Sequence, residues 1–85
     1  MPELSAKYLA YLQSPAWRLY RLRVLRLWGG RCVCCGVGGR LDIHHLHYRN
    51  LYHERLFDCI PLCRAHHESV ERWKRMIKKI ISVIQ

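Results

Sequence analysis

The chain has little negative charge. Six acidic side chains stand against fifteen lysines and arginines, so its 85 residues carry a formal charge of +9 at pH 7. This imbalance indicates a polyanionic partner, with nucleic acid first and an anionic membrane surface second. A signal peptide and a bilayer-length apolar run are also lacking, since the sequence starts Met-Pro-Glu-Leu and its apolar runs are short. We therefore expect a cytoplasmic protein without a membrane partner.

Internal repeats, low-complexity segments and linkers are absent as well, which predicts a single domain over residues 1–85. A core of this size is marginal, so a bound metal would be a natural source of stability. The five cysteines are an odd number, which argues against a complete disulfide framework. All five cysteines and all six histidines lie between Cys32 and His67, which indicates one compact site that uses metal ligands.

The apolar periodicity predicts an α+β order of elements. A leading helix is expected over residues 4–12, and a second from Pro15, with Ser14 as N-cap, to about Trp28. Short strands are expected at 41–44 and 59–62, and a basic amphipathic helix at 64–84. These elements divide the domain into an N-terminal helical segment (1–30), a cysteine- and histidine-rich core (31–70) and the C-terminal helix.

Two short motifs have the spacing of metal ligands. Cys32 and Cys35, like Cys63 and His66, are separated by two residues, which lets one tight turn aim two side chains at one ion. The pattern predicts a structural Zn²⁺ with three cysteine ligands and one histidine. A redox dithiol is the alternative, although the glycine-rich segment 36–39 does not provide the strand–helix context of such a site.

Two further cysteines remain. Cys34 could replace a neighbour as ligand, because the Cys-Val-Cys-Cys run offers more than one register. Cys59 is expected to face the core as a small apolar residue.

The adjacent histidines His44 and His45 come at the end of the first predicted strand. Because side chains alternate along a strand, one can bind a metal while the other faces substrate or solvent. A buried core histidine beside an exposed one is the alternative. Their position between the two cysteine motifs, with His67 directly after the second, favours a reaction centre.

Four motifs occur in order along the chain: Cys-x-x-Cys, Leu-Asp-Ile-His-His-Leu-x-Tyr, Glu-Arg-Leu-x-Asp and Pro-Leu-Cys-x-x-His-His. Over roughly residues 14–70 this set resembles the HNH endonucleases, and specifically a phage and bacterial subgroup with zinc knuckles. The resemblance implies a small ββα-metal (His-Me finger) fold, preceded by one or two helices and closed by the basic helix. It also implies metal-dependent hydrolysis of DNA phosphodiester bonds with a single catalytic ion, leaving 5′-phosphate and 3′-hydroxyl ends.

The resemblance also implies a role for each matching residue. His44 corresponds to a ligand of the catalytic ion and His45 to the general base that takes a proton from water. Asp58 falls where the family usually has asparagine, so it would brace the loop that holds the base or contribute to the metal. His67 corresponds to a second ligand. Glu71 stands where many members carry another histidine, and it can still reach the ion, which would be Mg²⁺, Mn²⁺, Ni²⁺ or Zn²⁺.

The implied substrate is DNA, double-stranded in the first instance. Its phosphates would be contacted by basic side chains of the helices and the central loop, and these are Arg18, Arg21, Arg49, Arg64, Arg72, Lys74, Arg75 and Lys78. The exposed parts of the terminal helices could serve as a homodimer face. His47 and His53 are expected to be exposed loop residues without a role.

Two other interpretations stay open. One is a non-catalytic zinc-knuckle module that binds DNA or RNA, with the histidine pair as a remnant. The other is a small interaction or toxin-like protein whose C-terminal helix grips a partner or a membrane.

Overall fold

Three helices surround a two-stranded sheet in the computed structural model, which describes residues 5–84. The predicted α+β class is confirmed. The leading helix begins two residues later than predicted, at Ala6, and the predicted start at residue 4 lies outside the described residues. The elements are α1 (Ala6–Leu12), α2 (Pro15–Leu27), β1 (Asp42–His45), β2 (Cys59–Leu62) and α3 (Arg64–Ile84).

Serine caps open both N-terminal helices. The Ser5 hydroxyl accepts a hydrogen bond from the Tyr8 N–H, and the Ser14 hydroxyl accepts one from the Trp17 N–H, each at 3.1 Å. These bonds satisfy backbone donors that have no partner inside the helix. The second helix then ends as its sequence predicts, because Gly29 and Gly30 adopt φ values of 68° and 70° that other residues rarely take.

The two strands pair antiparallel, with Asp42 opposite Leu62 and His45 opposite Cys59. The second strand has its predicted bounds, whereas the first begins and ends one residue later than predicted. With this shift the two histidines are the last two residues of β1. Because neighbouring side chains point to opposite faces, His44 contacts α3 while the ring of His45 stacks on Trp17 of α2.

A small core lies where the sheet meets the helices. Cys32, Leu41 and Leu62 are buried together, and Leu25 of α2 and Val70 of α3 pack against them. Cys59 is fully buried, as predicted for a small apolar residue. Cys32 is therefore both a core residue and a candidate metal ligand, so the core and the cysteine-rich site share a side chain.

The helix α3 extends beyond this core. Its N-terminal part packs on both strands through residues such as Val70, whereas Trp73 and Ile80 farther along remain 60% and 50% exposed. No helix among residues 5–84 is long and apolar enough to cross a membrane. The sheet and the start of α3 thus form the compact part of the molecule, and the chemistry-bearing residues gather there.

Candidate metal centre

The first cluster joins a glycine-containing turn to the start of α3. The N–H of Gly36 donates to the Cys32 carbonyl at 2.8 Å, which closes the turn that carries Cys32 and Cys35. Cys63 directly precedes α3, and His66 lies in its first turn. The ligand atoms of these four residues all lie within 4.8 Å of one another. The fold thus brings the two predicted pairs into one group.

The spacing inside this group fits zinc. Cys35 Sγ lies 3.9 Å from Cys63 Sγ, and His66 Nδ1 lies 3.1 Å from Cys63 Sγ and 3.9 Å from Cys32 Sγ. A tetrahedral ion with Zn–S bonds of about 2.3 Å holds its sulfurs about 3.8 Å apart. Cys34 is exposed and lies outside the group, so the register with Cys32 and Cys35 is the one that the fold selects.

Backbone amides favour the thiolate of Cys32. Burial raises the pKa of Cys32, but the N–H groups of Cys63, Cys35 and Cys34 outweigh it and lower that pKa to about 6. Since a thiolate rather than a thiol binds zinc, the local backbone favours the ligand form.

A second cluster consists of His44, His67 and Glu71. It lies between β1 and the first two turns of α3, and its ligand atoms also fall within 4.8 Å of one another. Glu71 Oε1 lies 3.3 Å from His44 Nδ1 and 3.9 Å from His67 Nε2. Ligands at about 2.1 Å from a hexacoordinate ion are about 3 Å apart when adjacent. Two imidazoles and one carboxylate therefore fit a divalent ion with open positions.

Two further side chains hold the histidines of this second cluster. Asp42 Oδ2 lies 3.0 Å from His67 Nδ1, on the ring nitrogen opposite Glu71, and 3.4 Å from Arg64 Nε. A carboxylate on the far nitrogen fixes the orientation of a ligating histidine. Lys74 Nζ lies 3.2 Å from His44 Nε2. Neither contact was predicted from the sequence.

The environment of His44 keeps its ring neutral. Burial and the nearby charge of Lys74 lower the pKa of His44 to about 4, although Glu71 opposes the shift. A neutral imidazole is the form that binds a metal ion. This buried histidine, which is only 3% exposed, is therefore neutral over the physiological pH range.

His45 occupies the opposite face of β1 and is also 3% exposed. Its ring stacks on Trp17 at 5.4 Å between centroids and on Tyr48 at 4.7 Å, with interplanar angles of 8° and 19°. Its Nε2 lies 2.8 Å from Glu54 Oε2. This histidine is neither solvent-facing nor part of the metal cluster.

Asp58 is not among the residues of the second cluster. One carboxylate oxygen accepts hydrogen bonds from the Arg55 N–H at 2.7 Å and the Asn50 amide at 2.8 Å. The other lies 3.0 Å from His47 Nε2. These donors hold the pKa of Asp58 below its usual range. The side chain braces the loop between the strands, which was the other role considered.

The same contact corrects the expectation for His47. This side chain is 29% exposed and pairs with Asp58, so it belongs to the loop brace and is not a free loop residue. His53 is exposed, as predicted.

Basic side chains border three cavities around the second cluster. A cavity of about 390 Å³ between α2 and β1 is lined by His45, His67, Arg21, Arg40 and Arg64. One of about 350 Å³ lies beside His67 and Glu71, with Arg64, Arg72 and Arg75 in its wall. A third, of about 520 Å³, includes Glu71, Lys74, Arg75 and Lys78.

Most of the predicted nucleic-acid contacts border these three cavities, and two do not. Arg18 and Arg49 are exposed and line none of the three. Arg40 lines the first of them but was not predicted. Seven basic side chains therefore border the cavities around the second cluster.

Asp42 and Glu54 are the chemistry-bearing residues that the sequence analysis missed. Asp42 could have been found, because it stands two residues before His44 and strand alternation places both on one face. Glu54 lies in an irregular loop, and no local periodicity indicates where such a residue points. Comparison with protein-family models, with curated proteins and with solved structures gives no match.

Proposed function

We propose that this protein is a metal-dependent DNA endonuclease of the HNH type, with a ββα-metal fold. The observation that carries the proposal is the second cluster: the ligand atoms of His44 in β1 and of His67 and Glu71 in α3 lie within 4.8 Å of one another, separate from the cysteine-rich group. A strand and a helix supplying ligands to one ion is the arrangement that the family resemblance implies. Zinc at the cysteine-rich group would have a structural role.

The surrounding charge supports a phosphodiester substrate. His67 belongs to the ion cluster and also lines the cavity that contains His45 and three arginines. A phosphate in that cavity would therefore lie beside both the ion cluster and the proposed base. Arginine guanidinium groups suit phosphate because they donate paired hydrogen bonds to its oxygens.

The proposed division of labour follows from the two faces of β1. On one face His44, His67 and Glu71 hold a divalent ion, which would supply positive charge for the phosphate and the departing alkoxide. On the other face His45 accepts a proton from the attacking water. Arg64, which lines the cavity beside His45, orients the phosphate, and the loop braced by Asp58 keeps the strand ends in register.

The direct test is nicking of a supercoiled plasmid by zinc-loaded protein, with Mg²⁺, Mn²⁺, Ni²⁺ and Zn²⁺ supplied separately. Cleavage that requires one of these ions is expected, and His45→Ala should abolish it while His53→Ala leaves it unchanged. His53 is the matched control because it is an exposed histidine of the neighbouring loop. Full cleavage by a folded His45→Ala variant would refute the assignment of the base.

A non-catalytic zinc-knuckle module that binds DNA or RNA is the second candidate. One observation favours it: His45 is almost fully buried between two aromatic rings and a carboxylate, as a structural histidine would be. This function predicts salt-dependent nucleic-acid binding, one tightly held metal ion per chain and no cleavage with any of the four ions.

A further inference from the structure

Glu54 places a carboxylate where water hardly reaches it. The side chain is 2% exposed, and a buried carboxylate is costly unless hydrogen bonds compensate it. Two groups from separate elements do so. The Tyr11 hydroxyl of α1 donates to Oε1, and His45 Nε2 of β1 lies 2.8 Å from Oε2. Both oxygens of Glu54 are therefore engaged.

The ring of His45 has little freedom to turn. Trp17 and Tyr48 stack nearly parallel to it, with interplanar angles of 8° and 19°. The two aromatic rings fix the plane of the imidazole, and the contact with Glu54 fixes which nitrogen points to the loop. Rotation of the His45 ring between the two aromatic rings would break its hydrogen bond to the buried carboxylate of Glu54.

An ionised carboxylate can only accept hydrogen bonds. The nitrogen of His45 that faces Glu54 must therefore carry the proton, which leaves the other nitrogen, Nδ1, with its lone pair. His45 also lines the basic cavity between α2 and β1. Nδ1 is consequently the nitrogen through which the ring can act on a molecule bound in that cavity.

We infer that Glu54 is the positioning residue of His45: its carboxylate holds the Nε2–H tautomer and leaves Nδ1 as the proton acceptor. The role of acceptor rests on the proposed function, whereas the tautomer does not. In the proposed reaction, the proton of the attacking water moves to Nδ1 as the water oxygen bonds to phosphorus and the bond to the leaving oxygen breaks.

The tautomer is measured by long-range ¹H–¹⁵N NMR of zinc-loaded protein labelled with ¹⁵N-histidine, at one fixed pH near neutrality. We expect His45 in the parent to carry its proton on Nε2. In Glu54→Gln, a side chain of equal size that can also donate, the ring should lose this single tautomer. His53→Gln removes an exposed neighbouring histidine and should leave the His45 signals unchanged. A proton on Nδ1 in the parent would overturn the inference.

The parent spectrum decides the question even if Glu54→Gln does not fold. A second variant, Glu54→Met, leaves no oxygen to accept from Nε2–H. If it folds and His45 keeps the parental tautomer, Glu54 does not position the ring and the inference fails. If the contact between Glu54 and His45 serves only stability, its loss lowers the unfolding temperature and leaves the ¹⁵N signals of His45 unchanged.

Kinetics separate this inference from the proposed function. For a folded Glu54→Gln variant we expect kcat to fall by roughly 10²- to 10⁴-fold, the contribution of a positioned general base, with KM unchanged. Parental kcat in that variant refutes the role of Glu54 alone. Absence of cleavage by the parent with every ion refutes the proposed function, while the tautomer still reports whether Glu54 holds His45.

Discussion

The two candidate metal clusters differ in almost every physical respect, although each takes a histidine from the start of α3. The cysteine-rich cluster uses four side chains, includes the core residue Cys32 and has spacing that closes a tetrahedron. The histidine–glutamate cluster uses three side chains, belongs to no apolar core and opens onto basic cavities. A closed ligand set serves stability, whereas an open one leaves positions for water or substrate. The difference predicts that damage to the first cluster unfolds the chain and damage to the second leaves it folded.

Loss of a zinc ligand should have the largest effect. Cys63→Ser removes a thiolate from the cysteine-rich cluster, and zinc contributes roughly 10–16 kcal/mol in small zinc-binding peptides, which exceeds the usual stability of a small domain. We expect loss of cooperative thermal unfolding and of bound zinc, measured by circular dichroism and metal analysis. Cys34→Ser is the matched control because Cys34 is exposed and outside the cluster. A cooperatively folded, zinc-free Cys63→Ser protein would contradict the structural role.

The second cluster should respond in activity and not in stability. Glu71→Gln removes the only carboxylate of the cluster, and we expect plasmid cleavage to fall by at least about 10- to 100-fold with the unfolding temperature nearly unchanged. Glu68→Gln, which removes the same charge from an exposed position of α3, is the control. Equal cleavage rates for the two variants would show that Glu71 holds no catalytic ion.

Asp42 should affect the proposed ion indirectly, through its contact with His67. Asp42→Asn weakens the partner of His67 Nδ1, and such a change usually lowers metal affinity by about 10- to 100-fold. Titration calorimetry of zinc-loaded protein with Mn²⁺ measures it, and the zinc content should not change. Unaltered Mn²⁺ affinity would remove Asp42 from the site.

The sequence predicted the cysteine-rich cluster more completely than the other. Its ligands come in two local pairs, and a spacing such as Cys32-x-x-Cys35 is a property of the sequence itself. His44, His67 and Glu71 could be assembled only through the family resemblance, because they lie on different elements. The position of Asp58 outside that cluster depends on the conformation of the thirteen-residue loop 46–58, which joins the two strands. Apolar periodicity gives no information about that conformation. Strand and helix bounds, in contrast, followed from caps and alternation to within about two residues.

Asp58 belongs to neither cluster and should give a smaller effect. Asp58→Asn loses a charged acceptor for the Arg55 N–H and for Asn50, which should cost about 1–2 kcal/mol of unfolding free energy at pH 7. Since these contacts lower the pKa of Asp58, its contribution is present above the ordinary carboxyl pKa and is lost as pH falls through the lowered value. Urea unfolding at several pH values measures the difference between variant and parent, which should shrink in acid. A constant difference down to the lowest pH would contradict the charge argument.

The smallest expected effect concerns where the chain meets nucleic acid. Arg75 borders two of the cavities beside the histidine–glutamate cluster, whereas Arg31 donates to the Gly36 carbonyl at the turn of the cysteine-rich cluster. Each phosphate contact adds about 0.9 to the slope of log affinity against log salt concentration. Arg75→Ala should therefore reduce that slope by about 1, and Arg31→Ala, with the same loss of charge, should leave it unchanged. Fluorescence anisotropy with a labelled DNA duplex at several salt concentrations measures both slopes. Equal reductions of the slope in the two variants would mean that DNA contacts the surroundings of both clusters alike. Such a result would contradict the distinction between a closed structural site and an open site that faces the substrate.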